Sequence, residues 1–295
     1  MPPATTGRHL LQALPGFREV SPQLGVLDEQ ALSDLERRDP DAALTLIAEM
    51  SGATDEQLRR RARAIAGRIM LRAASPRGAP RPGVGRIRST RWQPGVDIDV
   101  EESMDALLPA AIAGHAPDVA QLRGPGWIRP ATAVALIIDR SGSMGGERLA
   151  TAAVAAAAVA LRAADDYSVI AFGSGVRTLK PQRRPMPAER VVADLLALRG
   201  HGRTDLAAAL RAAVTQLNDS AAPRRIALLL SDGRATAGDD PVVAARAVEE
   251  LLVLAPVGGE ETGAQARSLA RTVGAAYAEV TGPRSIPAAI AAVWP

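Results

Sequence analysis

The chain has 295 residues, 47 % of them apolar and only 2 % aromatic, with a formal charge of +3, no cysteine and one lysine, Lys180. The lack of cysteine excludes disulfides, thiolate metal sites and cysteine nucleophiles, and so few aromatic rings argue against a base-stacking platform for single-stranded nucleic acid. A core of this composition must be filled by Ala, Val and Leu, and the length allows one substantial domain with a smaller part beside it.

At the N-terminus, Arg8 and His9 lead into only a few apolar residues before Pro15 and Gly16, which is not the pattern of a secretion signal. The apolar run from Leu149 to Leu161 is mostly alanine and shorter than the roughly 20 residues that span a bilayer. These features predict a soluble, cytoplasmic protein with no membrane span.

Residues 1–75 predict a small helical region. Leu27, Ala31, Leu32 and Leu35 recur at helical spacing, and Asp39 followed by Pro40 reads as an N-cap and first helical position. Thr54 and Gln57 form a capping-box pattern opening a third helix, whose apolar stripe is Leu58, Ala62, Ile65 and Ile69. Its other face carries Arg59, Arg60, Arg63 and Arg68.

Residues 76–130 are expected to be a Pro/Gly/Arg-rich linker and extended segment packing on the next domain. Arginines continue through it to Arg91, so 59–91 is a basic stretch. It has two readings: a docking surface for an acidic partner or nucleic acid, or a solvated helix face with a soluble linker. The second is the commoner use of surface charge. Val96, Ile98 and Val100 alternate with Asp97, Asp99 and Glu101, the period of a half-buried strand or extended segment. A helix follows from about Ser103 to Ala113, then a loop. Trp92 and Trp127 read as packing residues.

From residue 131 to the end, strands alternate with helices. Strands are expected at 133–139, 167–172, 225–230, 251–256 and 275–280, with a short edge strand at 176–179. Helices are expected at 147–164, 188–198, 205–217, 241–250 and 261–273, with a last one toward Val293. The pattern predicts an α/β fold, a doubly wound and mainly parallel sheet covered on both faces. The helix at 147–164 is apolar nearly all round, so it is expected to be buried on more than one side.

Three loops carry chemistry. The strand ending at Asp139 runs into Arg140-Ser141-Gly142-Ser143-Met144, which offers a carboxylate and two hydroxyls, with Gly142 allowing a tight turn. Hard oxygen donors of this kind suit Mg²⁺, Mn²⁺ or Ca²⁺ rather than zinc. The second loop holds Thr204 beside Asp205, and the third holds Asp232 after a separate strand. Loops at the carboxyl ends of neighbouring strands converge on the binding crevice of an open α/β sheet. Ser141 and Ser143 could instead merely cap the following helix, but capping leaves the second acidic loop unexplained. Asp205 reads as a helix cap, Arg140 as either a rim residue or a solvent-facing one, and His201 as loop material.

Enzyme patterns fail on the same residues. Ser141 stands where a haloacid-dehalogenase phosphatase needs its second aspartate. It also stands where a nucleophile elbow around Ser143 needs its first glycine. No Gly-rich loop ends in Gly-Lys-Ser/Thr.

The set Asp139, Ser141, Ser143, Thr204 and Asp232, in this order on an α/β pattern, resembles the von Willebrand factor type A (VWA) domain and its metal ion-dependent adhesion site. The likeness covers about 131–295 and implies a Rossmann-like VWA fold. It also implies an ion, Mg²⁺ with Mn²⁺ or Ca²⁺ as substitutes, held directly by Ser141, Ser143 and Thr204. Asp139 and Asp232 would act mostly through water or by orienting the hydroxyls, and an aspartate or glutamate of a protein partner would complete the coordination. The Asp-Arg-Ser-Gly-Ser-Met form resembles bacterial intracellular VWA proteins, among them partners of MoxR-type AAA+ ATPases and the D subunit of magnesium chelatase. The implied role is a non-catalytic adaptor working with such an ATPase in metal insertion, cofactor maturation or protein remodelling. The alternatives are a chelatase-like subunit, although an AAA+-like N-terminal module is missing, and a nucleic-acid-associated protein using 59–91.

Overall fold

The computed structural model describes residues 5–75, 86–92, 94–128, 131–140, 146–198, 202–257 and 263–294. It divides into two units, one of residues 1–77 with 132–295 and one of 78–131.

In the larger unit the chain begins with two short helices absent from the sequence reading, α1 (Arg8–Leu11) and α2 (Phe17–Val20). Asp28 then accepts from the N–H groups of Gln30 and Ala31 and opens α3 (Glu29–Arg38). Asp39 caps α4 (Pro40–Met50) with proline at its first position, as the sequence predicts. The third expected helix, α5 (Glu56–Ala74), starts from Asp55 rather than from Thr54. The Asp55 carboxylate accepts from Leu58 N at 3.1 Å and from Gly25 N at 2.5 Å, and a carboxylate satisfies a helix N-terminus better than a hydroxyl. The stripe Leu58, Ala62, Ile65, Ile69 is buried. On the basic side, Arg59 and Arg63 donate to the carbonyls of Ala53 and Ser51 at 3.0 and 2.8 Å. Arg60, Arg68 and Arg72 pair with Glu56, Glu29 and Glu36. Much of the charge on this helix is therefore used inside the molecule.

The smaller unit contains β1 (Arg86–Arg91), α6 (Met104–Ala113) and β2 (Arg123–Ile128). β1 and β2 pair antiparallel, from Arg86 opposite Ile128 to Arg91 opposite Arg123, so a hairpin-like ladder occupies part of the stretch expected to be linker and loop. The segment 96–100 is not a strand, and Val96, Ile98 and Val100 are all exposed, which corrects the half-buried reading. Alternation alone does not bury a segment that has no sheet neighbour. Trp92 donates its indole N–H to Val96 O at 2.7 Å, and Gly124 leaves room for its ring. The side chain of Trp127 lies outside the described residues.

The sheet of the larger unit holds β3 (Thr132–Asp139), β4 (Tyr167–Phe172), β5 (Val176–Lys180), β6 (Arg224–Leu230), β7 (Glu250–Pro256) and β8 (Ala276–Val280). Helices α7 (Gly146–Arg162), α8 (Ala188–Leu196), α9 (Leu206–Asn218), α10 (Pro241–Ala245), α11 (Ala264–Val273) and α12 (Ile286–Val293) connect or follow them. The strand order is β5-β4-β3-β6-β7-β8, parallel throughout except for the antiparallel edge strand β5. This is the doubly wound α/β sheet that the sequence predicts. The expected helix at 241–250 is shorter because β7 begins at Glu250.

Alternate residues of β3 serve opposite cores. Ala133, Ala135 and Ile137 pack with α9, α10 and α11, whereas Val134, Leu136 and Ile138 pack with α7, α8, α12 and the N-terminal helices. α7 lies beneath α4 and α5 as well as on the sheet, which is why every residue from Leu149 to Ala160 is buried. Its alanines let the flanking layers approach closely. The N-terminal helices thus form an outer layer over α7 and share its core.

Candidate metal centre at the carboxyl edge of the sheet

The strand order reverses at β3 and β6, since β4 and β5 are added on one side of β3 while β6, β7 and β8 are added on the other. The crevice beyond the carboxyl ends of these two strands is the switch point where doubly wound sheets bind ligands. Asp139 is the last residue of β3, and Ile138 pairs with Leu230, the last residue of β6. Register therefore sets Asp139 level with Ser231.

Asp139 is only 8 % exposed, and Ser231 Oγ donates to its Oδ2 at 2.9 Å. The same hydroxyl accepts from Gly233 N at 3.0 Å. Ser231 thus fixes one oxygen of the carboxylate and shapes the turn after β6. The sequence reading did not single it out, although its place between a buried strand and an Asp-Gly pair was a signal.

The turn itself is tightly held. Gly233 has φ +80°, and a Cβ there would lie 2.4 Å from Ala266 N. That N–H donates to Asp232 O at 3.1 Å, so the loop is pinned on the start of α11. One carboxylate oxygen of Asp232 accepts from Arg234 N at 3.0 Å, an Asx turn that fixes the side chain.

Thr204 belongs to the same assembly. Its N–H donates to Thr236 Oγ1 at 2.8 Å, and its carbonyl accepts from the N–H groups of Thr236 and Ala237 at 3.0 and 3.1 Å. The loop after β6 therefore grips the loop before α9 by its backbone. The side chain is different: its hydroxyl has no hydrogen bond among the described residues, so only the backbone of Thr204 is tied down. Asp205 accepts from Ala208 N at 2.9 Å and caps α9, as expected for it. Arg140 donates its N–H to Phe172 O at 2.7 Å, and its buried Nε has no hydrogen-bond partner among the described residues.

Ser141 and Ser143 lie outside the described residues, as do Gly142 and His201. The segment's far end is described: Gly146 N, the first N–H of α7, donates to a carboxylate oxygen of Glu49 on α4. Thr6 Oγ1 holds the other Glu49 oxygen at 3.0 Å. A glutamate in the last turn of a mostly apolar helix was the available signal for this contact. Among the described residues no group of three or more His, Cys, Asp or Glu could hold a metal ion. What gathers here is of another kind, two carboxylates and a hydroxyl on loops tied to one another.

Residues 134–234, which contain all five candidate ligands, match the family model of the von Willebrand factor type A domain. A search of the curated proteins gives no match. Among solved structures, proximal thread matrix protein 1 from the mussel byssus is 14 % identical, with 56 % of this chain and 47 % of that one covered and a TM-score of 0.43. A von Willebrand factor type A protein from Catenulispora acidiphila is 21 % identical over 56 % of this chain and 42 % of its own, with a TM-score of 0.41. The manganese-loaded TRAP protein of Plasmodium vivax is 18 % identical over 55 % and 72 %, with a TM-score of 0.42. The chain spans less than half the length of the first two.

Proposed function

We propose, from the match of residues 134–234 to the von Willebrand factor type A model, that the chain is a non-catalytic adaptor that binds protein through a divalent cation at the carboxyl edge. Asp139, Ser141, Ser143, Thr204 and Asp232 would hold the ion, with Mg²⁺ preferred and Mn²⁺ or Ca²⁺ able to replace it. The observation that carries this reading is that Asp139, at the end of β3, and Thr204 and Asp232, on two loops tied to each other by backbone hydrogen bonds, lie at one switch point, with Thr204 fixed on three sides by its backbone.

The residues fit an oxygen-loving cation. Asp139 is oriented by Ser231, and Asp232 keeps one carboxylate oxygen clear of described partners. Because the set has only two carboxylates, Mg²⁺ held there would stay electrophilic and would supply a position for a partner's aspartate or glutamate. This chain's own residues would select the ion and fix its position, and so bring the partner to the switch point. The MoxR-type AAA+ partner, and a role in metal insertion, cofactor maturation or remodelling, rest on the resemblance of the Asp139–Met144 motif.

Isothermal titration of Mg²⁺ into the chain tests the site, with binding expected in the wild type and lost in Asp139→Ala. Co-purification of an AAA+ ATPase in Mg²⁺ and not in chelator is the expected partner result. Equal recovery in both would sink the metal-dependent reading.

A further inference from the structure

We propose that the smaller unit carries a second protein-binding surface, independent of the metal site, which takes a basic amphipathic helix from a partner. α6 is apolar nearly all round, and a helix of that kind is normally covered on more than one side. Here only one side is covered. Ala110 is buried, while Met104, Leu108 and Ile112, at positions i, i+4 and i+8, are exposed, the last two at 56 % and 79 %. They form one stripe about 12 Å long at 1.5 Å per residue. Apolar stripes left open on a folded surface mark interaction sites.

Charge identifies the occupant. From Trp92 to Leu122 there are six carboxylates, Asp97, Asp99, Glu101, Glu102, Asp105 and Asp118, and no lysine or arginine, in a chain whose formal charge is +3. None of the six forms an ion pair among the described residues. Five of them fall on α6 or within eight residues before it. An apolar stripe entered by carboxylates that pair with no cation among the described residues selects a helix with apolar residues on one face and Lys or Arg at its margins. An acidic helix of the same apolar pattern would meet like charges.

The test uses the full chain and two synthetic helical peptides with identical leucine spacing, one with lysine and one with glutamate on the polar face. Fluorescence anisotropy should show the Leu/Lys peptide binding, with affinity falling as salt rises and unchanged by chelator. Leu108→Glu with Ile112→Glu should weaken it by about tenfold or more, about 1.4 kcal/mol. Glu101→Lys with Glu102→Lys should weaken it and flatten the salt dependence. All four positions are exposed, and melting curves check that the fold is retained. Equal binding of the Leu/Glu peptide, or unchanged affinity in both variant pairs, overturns the proposal. So does a wild-type dimer in sedimentation that Ile112→Glu dissociates, because a second copy would then be what covers the stripe. Loss of peptide binding in chelator would assign it to the carboxyl edge instead.

Discussion

The two ends of the central strands treat their polar groups in opposite ways. At the amino ends, Arg224 and Glu250, which open β6 and β7, form a two-pronged pair at 2.6 and 2.8 Å. Asp166 accepts from Gln182 and Ser220, and the Lys180 ammonium donates to Tyr167 O at 2.5 Å while lying 4.0 Å from the centre of the Tyr167 ring. At the carboxyl ends, Ser231 orients Asp139, and Thr204 is gripped only by its backbone. The same fold thus spends charge on itself at one edge and holds oxygen donors ready at the other. The first arrangement serves stability, and the second is the one proposed above to take a ligand.

The largest expected effect separates the two edges directly. Asp139→Asn keeps an acceptor for Ser231 but removes the charge, so Mg²⁺ affinity should fall about 100-fold in a calorimetric titration. Its melting curve should shift little. Glu250→Ala should do the reverse, lowering thermal stability and leaving Mg²⁺ affinity untouched. If Asp139→Asn unfolds the protein, the carboxyl edge is as structural as the amino edge and the contrast fails.

Gly233→Ala is the next largest. The left-handed backbone and the 2.4 Å approach to Ala266 N leave no room for a methyl group, and the obstacle is backbone. Denaturant unfolding should show a loss of about 2 kcal/mol. Metal affinity should fall with it, because the same turn carries Ser231 and Asp232. A loss of stability with full metal affinity would mean that the turn does not position the site.

The sheet was legible in the sequence because its strands are apolar runs cut by turn residues, and strand ends agreed within a residue or two. Asp139, Thr204 and Asp232 were legible as candidates for the same reason, since each falls where a strand ends or a helix begins. Ser231 and Glu49 were not. Each acts through one contact between segments far apart in the chain, Ser231 with Asp139 and Glu49 with Gly146, and no local periodicity encodes such a contact. The segment 96–100 misled in the other direction: its alternation is that of a strand, but burial depends on a neighbour the sequence does not name.

A smaller effect measures how far the amino edge is closed. Arg224 and Glu250 side chains are about one-third exposed, so solvent screens their attraction. A double-mutant cycle with Arg224→Ala and Glu250→Ala should give a coupling of about 1 kcal/mol. The hydrogen bond to Glu250 keeps the Arg224 guanidinium above its ordinary pKa, so the pair remains charged across the working range. A coupling near zero would leave the two-pronged geometry without energetic weight.

The smallest effect is in alkali. Burial, with the nearby Glu189 carboxylate adding to it, pushes the Tyr167 phenol up to about 12. The unfolded chain loses this proton near pH 10 and the folded one holds it, so the contribution to stability is complete below pH 10 and disappears as pH rises through 12. Lys180 works the other way. Burial lowers its pKa below 10.5, with Asp166 partly offsetting this, so stability rises with pH up to about 10.5 as the folded ammonium sheds its proton first. Stability should therefore climb into alkali and then fall, and Lys180→Met should remove the climb but keep the fall. Tyr277→Phe leaves Tyr167 as the remaining tyrosine, so tyrosinate absorbance then reports it alone. A midpoint near pH 12 matches a closed amino edge, whereas a midpoint near 10 would mean that water reaches the ring and that the two edges differ less than their hydrogen bonds indicate.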